Sequence, residues 1–282
     1  MYRLLWFISV RHEKLTKPLF SEIAIMNSVQ KNTPWLNKVP EVTVIFWLIK
    51  MMSTTVGETA ADFLNMDLGF GLINTSFVVG GLLAVTLYFQ MRATRYIPVL
   101  YWLVVVFISV FGTLVTDNLT DAWHVPLAWS SAFFTLALIT TFAVWYRREK
   151  TLSIHHVDSA KREGFYWLAI LFTFALGTAL GDWLAEGLSM GYDVTVGFFG
   201  LWLLFIAAAR FVFRANAVFC FWAAYILTRP FGAAWGDLLS QPLENGGFGF
   251  GANVTSVIFS TIIVVLVGGL SLVEYRKPTQ KR

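Results

Sequence analysis

The sequence predicts an all-α integral membrane protein, with eight transmembrane helices built as four parallel two-helix repeats in two pseudo-symmetric four-helix halves. Three observations carry this expectation. The 282-residue chain is 57% hydrophobic and only 13% charged, too little charge to cover a soluble domain. From Val42 onward it holds eight apolar segments, each near the ~20 residues that a helix needs to cross a bilayer. One phrase also recurs four times: a tryptophan, a glycine ten residues on, and an aspartate five further. The copies are Trp47, Gly57, Asp62; Trp102, Gly112, Asp117; Trp167, Gly177, Asp182; and Trp222, Gly232, Asp237.

Residues 1–38 read as a basic, disordered cytoplasmic tail with Arg3, Arg11, Lys14, Lys17, Lys31 and Lys38. The apolar run Leu4 to Val10 is too short to span, and no small-residue cleavage site follows it, which argues against a signal peptide. Met26 offers an alternative start. The expected spans are 42–64, 71–91, 97–119, 127–146, 165–187, 193–213, 217–239 and 252–273. They divide into a first half at 39–146, a linker at 147–164, a second half at 165–276 and a tail at 277–282.

Orientation follows from the cations. The N-terminal tail, Arg92, Arg95, the run Arg147, Arg148, Lys150, Lys161 and Arg162, then Arg210, Arg214 and the C-terminal tail share one side. The opposite connections, around Asn65 to Gly69, Asp121 to Pro126, Ser189 to Asp193 and Ser240 to Gly247, hold no lysine or arginine. The positive-inside rule therefore makes both termini cytoplasmic. It also accounts for the net charge of +4, and nothing points to nucleic acid. Each repeat is a pair of spans, so the copies run parallel rather than inverted. The tryptophans are 55, 65 and 55 residues apart, which sets the third copy 120 residues after the first and suggests the two halves. Gly69, Phe70, Gly71 with Thr75 and Ser76 echo Gly249, Phe250, Gly251 with Thr255 and Ser256. These glycines suit sharp turns that send the chain back into the bilayer.

The fourfold motif, with Ser153, Ile154 and His155 leading into Phe165, Tyr166, Trp167 and the run Phe174 to Asp182, resembles a family of bacterial integral membrane proteins described as uncharacterised and membrane-anchored. The resemblance covers about residues 39 to 276. It implies four tandem copies of a two-span repeat in a bacterial inner membrane, and no agreed activity. Function must come from the residues.

Fifteen residues of helix rise about 22 Å, so a tryptophan at the cytoplasmic interface places its aspartate in the outer third of the membrane. The tryptophans read as an interfacial aromatic belt, and the glycines as points of close helix approach. A carboxylate facing lipid costs at least about 2.5 kcal/mol, so the four aspartates should face the protein interior or water. Solvated helix ends would account for them too, as they do for Asp121 and Glu186 one turn beyond.

Lys50, Thr54, Glu58 and Asp62 recur every four residues and form one polar stripe, which resembles the wall of a pathway. Arg229, in a Thr-Arg-Pro sequence where Pro230 bends the helix, is in register one turn below Glu58. If their helices are neighbours, an ion pair follows, serving either as a lock or as a moving gate. Within the spans five acids (Glu58, Asp62, Asp117, Asp182 and Asp237) face two cations, Lys50 and Arg229. Like charges in a low-dielectric site need protons or bound cations to compensate them. The oxygens of Thr54, Thr113 and Thr178, with Thr55 and Thr116 nearby, suit a hard ion such as magnesium, calcium or manganese.

The single Cys220 excludes disulfides within the chain and cysteine metal clusters,. His155, His156 and His124 fall in loops and suit solvated positions. The sequence therefore predicts a transporter for a small cation, a divalent metal such as manganese or magnesium or a proton-coupled substrate. The acids are its ion-binding or metal site, Lys50 and Arg229 are counter-ions or gate, a bound divalent cation is the one ligand expected, and the lipid bilayer is the partner. Two alternatives stand beside it. An intramembrane aspartyl hydrolase would use two acids at equal depth, although the first glycine of its Gly-x-Gly-Asp motif is missing before Asp182 and Asp237. A scaffold or sensor would use the acids only in helix packing.

Overall fold

The computed structural model describes residues 37–276, and the readings of the two tails, including a start at Met26, otherwise lie outside the described residues. Among the described residues there are eight long α-helices and no strand. They are α1 (Val44–Asp62), α2 (Gly71–Arg92), α3 (Pro98–Asp117), α4 (Leu127–Glu149), α5 (Ala160–Asp182), α6 (Tyr192–Phe211), α7 (Ala217–Ser240) and α8 (Ala252–Arg276). Their starts are encoded locally. The side chains of Thr43, Ser159 and Asn216 accept the first free backbone N–H groups of α1, α5 and α7, and Pro98 opens α3 where its missing N–H costs nothing,. Gly69, Gly71, Gly249 and Gly251 all have positive φ, as sharp turns between paired helices require.

All the helices but α1 are long and apolar enough to cross a membrane, seven in number. Helix α1 falls short because it carries Lys50, Glu58 and Asp62. Two of these, Lys50 and Glu58, are buried among other helices. Polar content that looks costly in the sequence is sheltered in the fold.

The arrangement is a ring within a ring. Helices α1, α3, α5 and α7 pack side by side in a closed cycle, with α7 returning to α1. Each even helix packs outside the next odd one: α2 on α3, α4 on α5, α6 on α7, and α8 back on α1. From Asn37 onward the chain forms one compact unit. The two expected four-helix halves are thus continuous, since α3 packs on α5 across the linker just as α1 packs on α3. The outer helices expose large apolar side chains such as Phe77, Leu201, Leu204, Val264 and Val265, the reverse of a water-facing surface.

The repeat glycines set the register of the inner ring. A Cβ on Gly57 would strike Ser109, one on Gly112 would strike Phe174, one on Gly177 would strike Arg229, and one on Gly232 would strike Thr54. Each of those residues lies three positions before the next repeat's glycine. The four inner helices therefore run parallel in one register, and the pattern closes on itself. Hydroxyls reinforce the seams: Thr55 Oγ1 donates to Gly232 O at 3.1 Å and Thr116 Oγ1 to Ala175 O at 3.0 Å.

The tryptophans depart from expectation. Trp102, Trp167 and Trp222 are only 1–5% exposed, so they form no lipid-facing belt. They pack inside the ring with Phe46, Tyr101, Tyr166 and Tyr225. The residue after each glycine lies eleven positions beyond the tryptophan, about three full helical turns. Tryptophan and the site layer consequently share one face.

Candidate functional site

The residue that follows the glycine in the first three repeats is Glu58, Thr113 or Thr178, and all three are buried. Because the glycine faces the neighbouring helix, its successor turns toward the ring's interior. Arg229 joins them from α7 with no exposed surface. Its Nη1 and Nη2 donate to Glu58 Oε2 at 3.1 and 3.0 Å, and Nη2 also donates to Thr178 Oγ1 at 2.6 Å and to Thr113 Oγ1. Thr113 in turn donates to the same Glu58 oxygen at 3.2 Å. The ion pair expected from the register is present, and one residue from each inner helix takes part in it.

The repeat aspartates lie one turn further toward the end of the ring whose connections hold no lysine or arginine. Asp62, Asp117 and Asp182 are each the last residue of an α-helix, and a π-helical turn follows directly, at Phe63–Asp67, Asn118–Ala122 and Trp183–Gly187. Such turns widen the helix and are frequent at functional sites. Glu58, Asp182 and Asp237 each present a carboxylate oxygen within 4.8 Å of the other two. Asp237 is 7% exposed and Asp182 half-buried. Asp62 and Asp117, also half-buried, lie outside this group. Asp121 and Glu186 are exposed, as expected, and the Tyr192 hydroxyl donates to Glu186 at 2.8 Å.

On the other side of the Arg229 pair the ring is closed. Lys50, fully buried, has no hydrogen-bond partner among the described residues and sits over the rings of Phe174 and Tyr225, at 4.9 and 4.6 Å from their centroids. It pairs with none of the acids among the described residues, where the sequence suggested a counter-ion or gate. Thr54 is likewise directed elsewhere, donating to Met51 O at 2.5 Å beneath Gly232. Below Lys50, the hydroxyls of Tyr101 and Tyr166 meet at 2.5 Å.

Sequence reasoning missed a second buried ion pair. Lys38 Nζ lies 2.6 Å from Glu163 Oε2, and Gln90 and Trp167 donate to Glu163 Oε1 at 3.2 and 3.4 Å. Lys38 is 2% exposed, so the basic tail ends before it. The one available signal was Glu163, an acid set among cationic linker residues one turn before Trp167. His155 and His156 are exposed, in keeping with a solvated linker. A separate apolar cleft between α1, α6 and α7, lined by Trp47, Leu203, Phe211 and Phe221, contains none of the acids.

The repeat is the feature that places this chain among known proteins. A family described as Repeat of Unknown Function (DUF347) matches four times, at residues 45–96, 100–151, 165–216 and 220–275. The chain belongs to this repeat family. Each match begins two residues before a motif tryptophan and ends with the outer helix that follows, so the DUF347 unit is one inner helix and one outer helix. No curated protein and no solved structure matches the chain.

Proposed function

We propose that this DUF347 protein is a membrane carrier for a small cation. All eight helices cross a bilayer, α1 included, and both termini lie on the cytoplasmic face of a bacterial inner membrane. The observation that carries the reading is the meeting of Glu58, Asp182 and Asp237 at one half-sheltered spot. A guanidinium from a fourth side chain is bonded to the Glu58 edge of that spot. Acids held inside a bundle of apolar helices are costly unless a cation or proton compensates them. Asp62 and Asp117, from the other two inner helices, widen the acidic entrance and draw cations in.

The aromatic layer and the Lys38–Glu163 pair close the opposite end of the ring. Site accessible from one end and sealed at the other is what alternating access requires in each of its states. The four parallel repeats offer a way to exchange them, by rocking one repeat pair against the other.

The reading is tested with purified protein in liposomes that enclose a cation-sensitive dye. An inward gradient of manganese or magnesium, with and without a pH gradient, should give uptake that Asp237→Asn reduces at least about tenfold. No uptake of any small cation or proton above empty liposomes would contradict it.

A second reading rests on the approach of Asp182 to Asp237, since two neighbouring carboxylates on adjacent helices can share a proton and activate water. Under that reading the protein would cleave a peptide substrate within the membrane and Asp182→Asn would abolish cleavage.

A further inference from the structure

The two oxygens of Glu58 differ in their partners. Oε2 receives both Arg229 amino groups and the Thr113 hydroxyl, whereas Oε1 accepts no hydrogen bond from any described residue. Asp237 is 7% exposed, and its carboxylate likewise accepts none from any described residue. A buried carboxylate without a donor is costly. Here it lies within 4.8 Å of an oxygen of Glu58 and of Asp182. Oxygens around one hard cation are separated by up to about twice the 2.0–2.6 Å metal–oxygen distance, so the three can share an ion without moving the helices.

Formal charge then selects the ion. The three acids carry three negative charges, and Arg229 offsets one through Glu58. Two are left, which one divalent ion balances. The neighbouring threonine hydroxyls are engaged with Arg229, so the remaining ligands are waters from the open end. That combination, few carboxylates with retained water, suits a small hard divalent ion.

We propose that Glu58, Asp182 and Asp237 form a single site for a partly hydrated hard divalent cation, and that Arg229, bonded to Glu58 Oε2, sets its affinity. Arg229 is a fixed cation one carboxylate away from the bound ion. It repels that ion and competes for the charge of Glu58, so it keeps the hold weak and favours release. A guanidinium that served only as a structural lock would have the opposite effect, because its loss would loosen the site. This inference deepens the carrier reading by naming its site and ion class.

The test measures Mn2+ binding to purified, detergent-solubilised protein by the loss of the free-ion electron paramagnetic resonance signal, with Mg2+ as competitor. Asp237→Asn and Asp182→Asn should each weaken binding at least about tenfold, while Asp62→Asn should change it by less than about threefold. Arg229→Gln should tighten it at least about tenfold, as the removal of a nearby like charge predicts, and Arg229→Lys should stay near wild type. Where Arg229→Gln does not fold, Arg229→Met, which keeps much of the side-chain volume without the charge, takes its place with the same expectation. Weaker binding in whichever of these two variants folds would overturn the role of Arg229. Wild-type binding in Asp237→Asn would overturn the site. Binding without liposome uptake would remove the carrier and leave the site standing; uptake without binding would do the reverse.

Discussion

Arg229 and Glu58 show how much one residue can depend on another in this fold. Both are buried, and Arg229 spends its Nη groups on Glu58, Thr113 and Thr178. Removing one partner strands the other in a low-dielectric interior, which costs about 3–5 kcal/mol. Glu58→Gln should therefore unfold at markedly lower temperature or denaturant, and the pair Glu58→Gln/Arg229→Gln should recover part of the loss. A thermal melt of Glu58→Gln, Arg229→Gln and the pair in one detergent checks this, and a loss in the pair equal to the sum of the two single losses would show that the residues are not coupled. Lys38→Met should produce a drop of similar size, since it removes the bond to Met91 O and leaves Glu163 with Gln90 and Trp167 as its donors among the described residues.

At the scale of the element, the repeat glycine is what allows the inner helices to close. Gly57→Ala or Gly232→Ala would press a methyl group into Ser109 or Thr54, and overpacking of this kind costs about 1–3 kcal/mol. Gly81 and Gly268 lie in helices with nothing within 4 Å of an added Cβ. Gly81→Ala and Gly268→Ala should then be neutral, or stabilising by up to about 1 kcal/mol through helix propensity. Melting temperatures of the four variants compare the two sets directly. The sequence carried the glycine spacing, the parallel copies and the Glu58–Arg229 register plainly, because a motif repeated at fixed intervals must occupy equivalent places in parallel helices. It did not carry the ring order. Trp102 reads from the sequence as an interfacial anchor, and only the cyclic packing of the inner helices shows it to be an interior residue. The π-helical turns after Asp62, Asp117 and Asp182 were hidden for a similar reason. They arise from how a helix end meets its neighbours, and no local residue pattern announces them.

At the scale of the whole molecule, the four copies give a bundle with two unlike ends. One is rich in arginine and lysine and closed by aromatic rings; the other is acidic and leaves Asp182 half-buried. Insertion with the basic end inward predicts that single cysteines at Arg148 and at Leu243, placed in a Cys220→Ser background, react with an impermeant maleimide from opposite sides of the membrane. Labelling of both from one side would reverse or break the topology. Three of the five acids singled out in the sequence bring carboxylate oxygens within 4.8 Å of one another and two do not, a division that depends on a few ångströms of separation that spacing alone does not encode. The most direct test of the central claim is a structure determined with Mn2+ present and the ion located by its anomalous scattering. The account predicts one peak at about 2.0–2.6 Å from oxygens of Glu58, Asp182 and Asp237; peaks confined to the exposed Asp121 and Glu186, with none among the three acids, would contradict it.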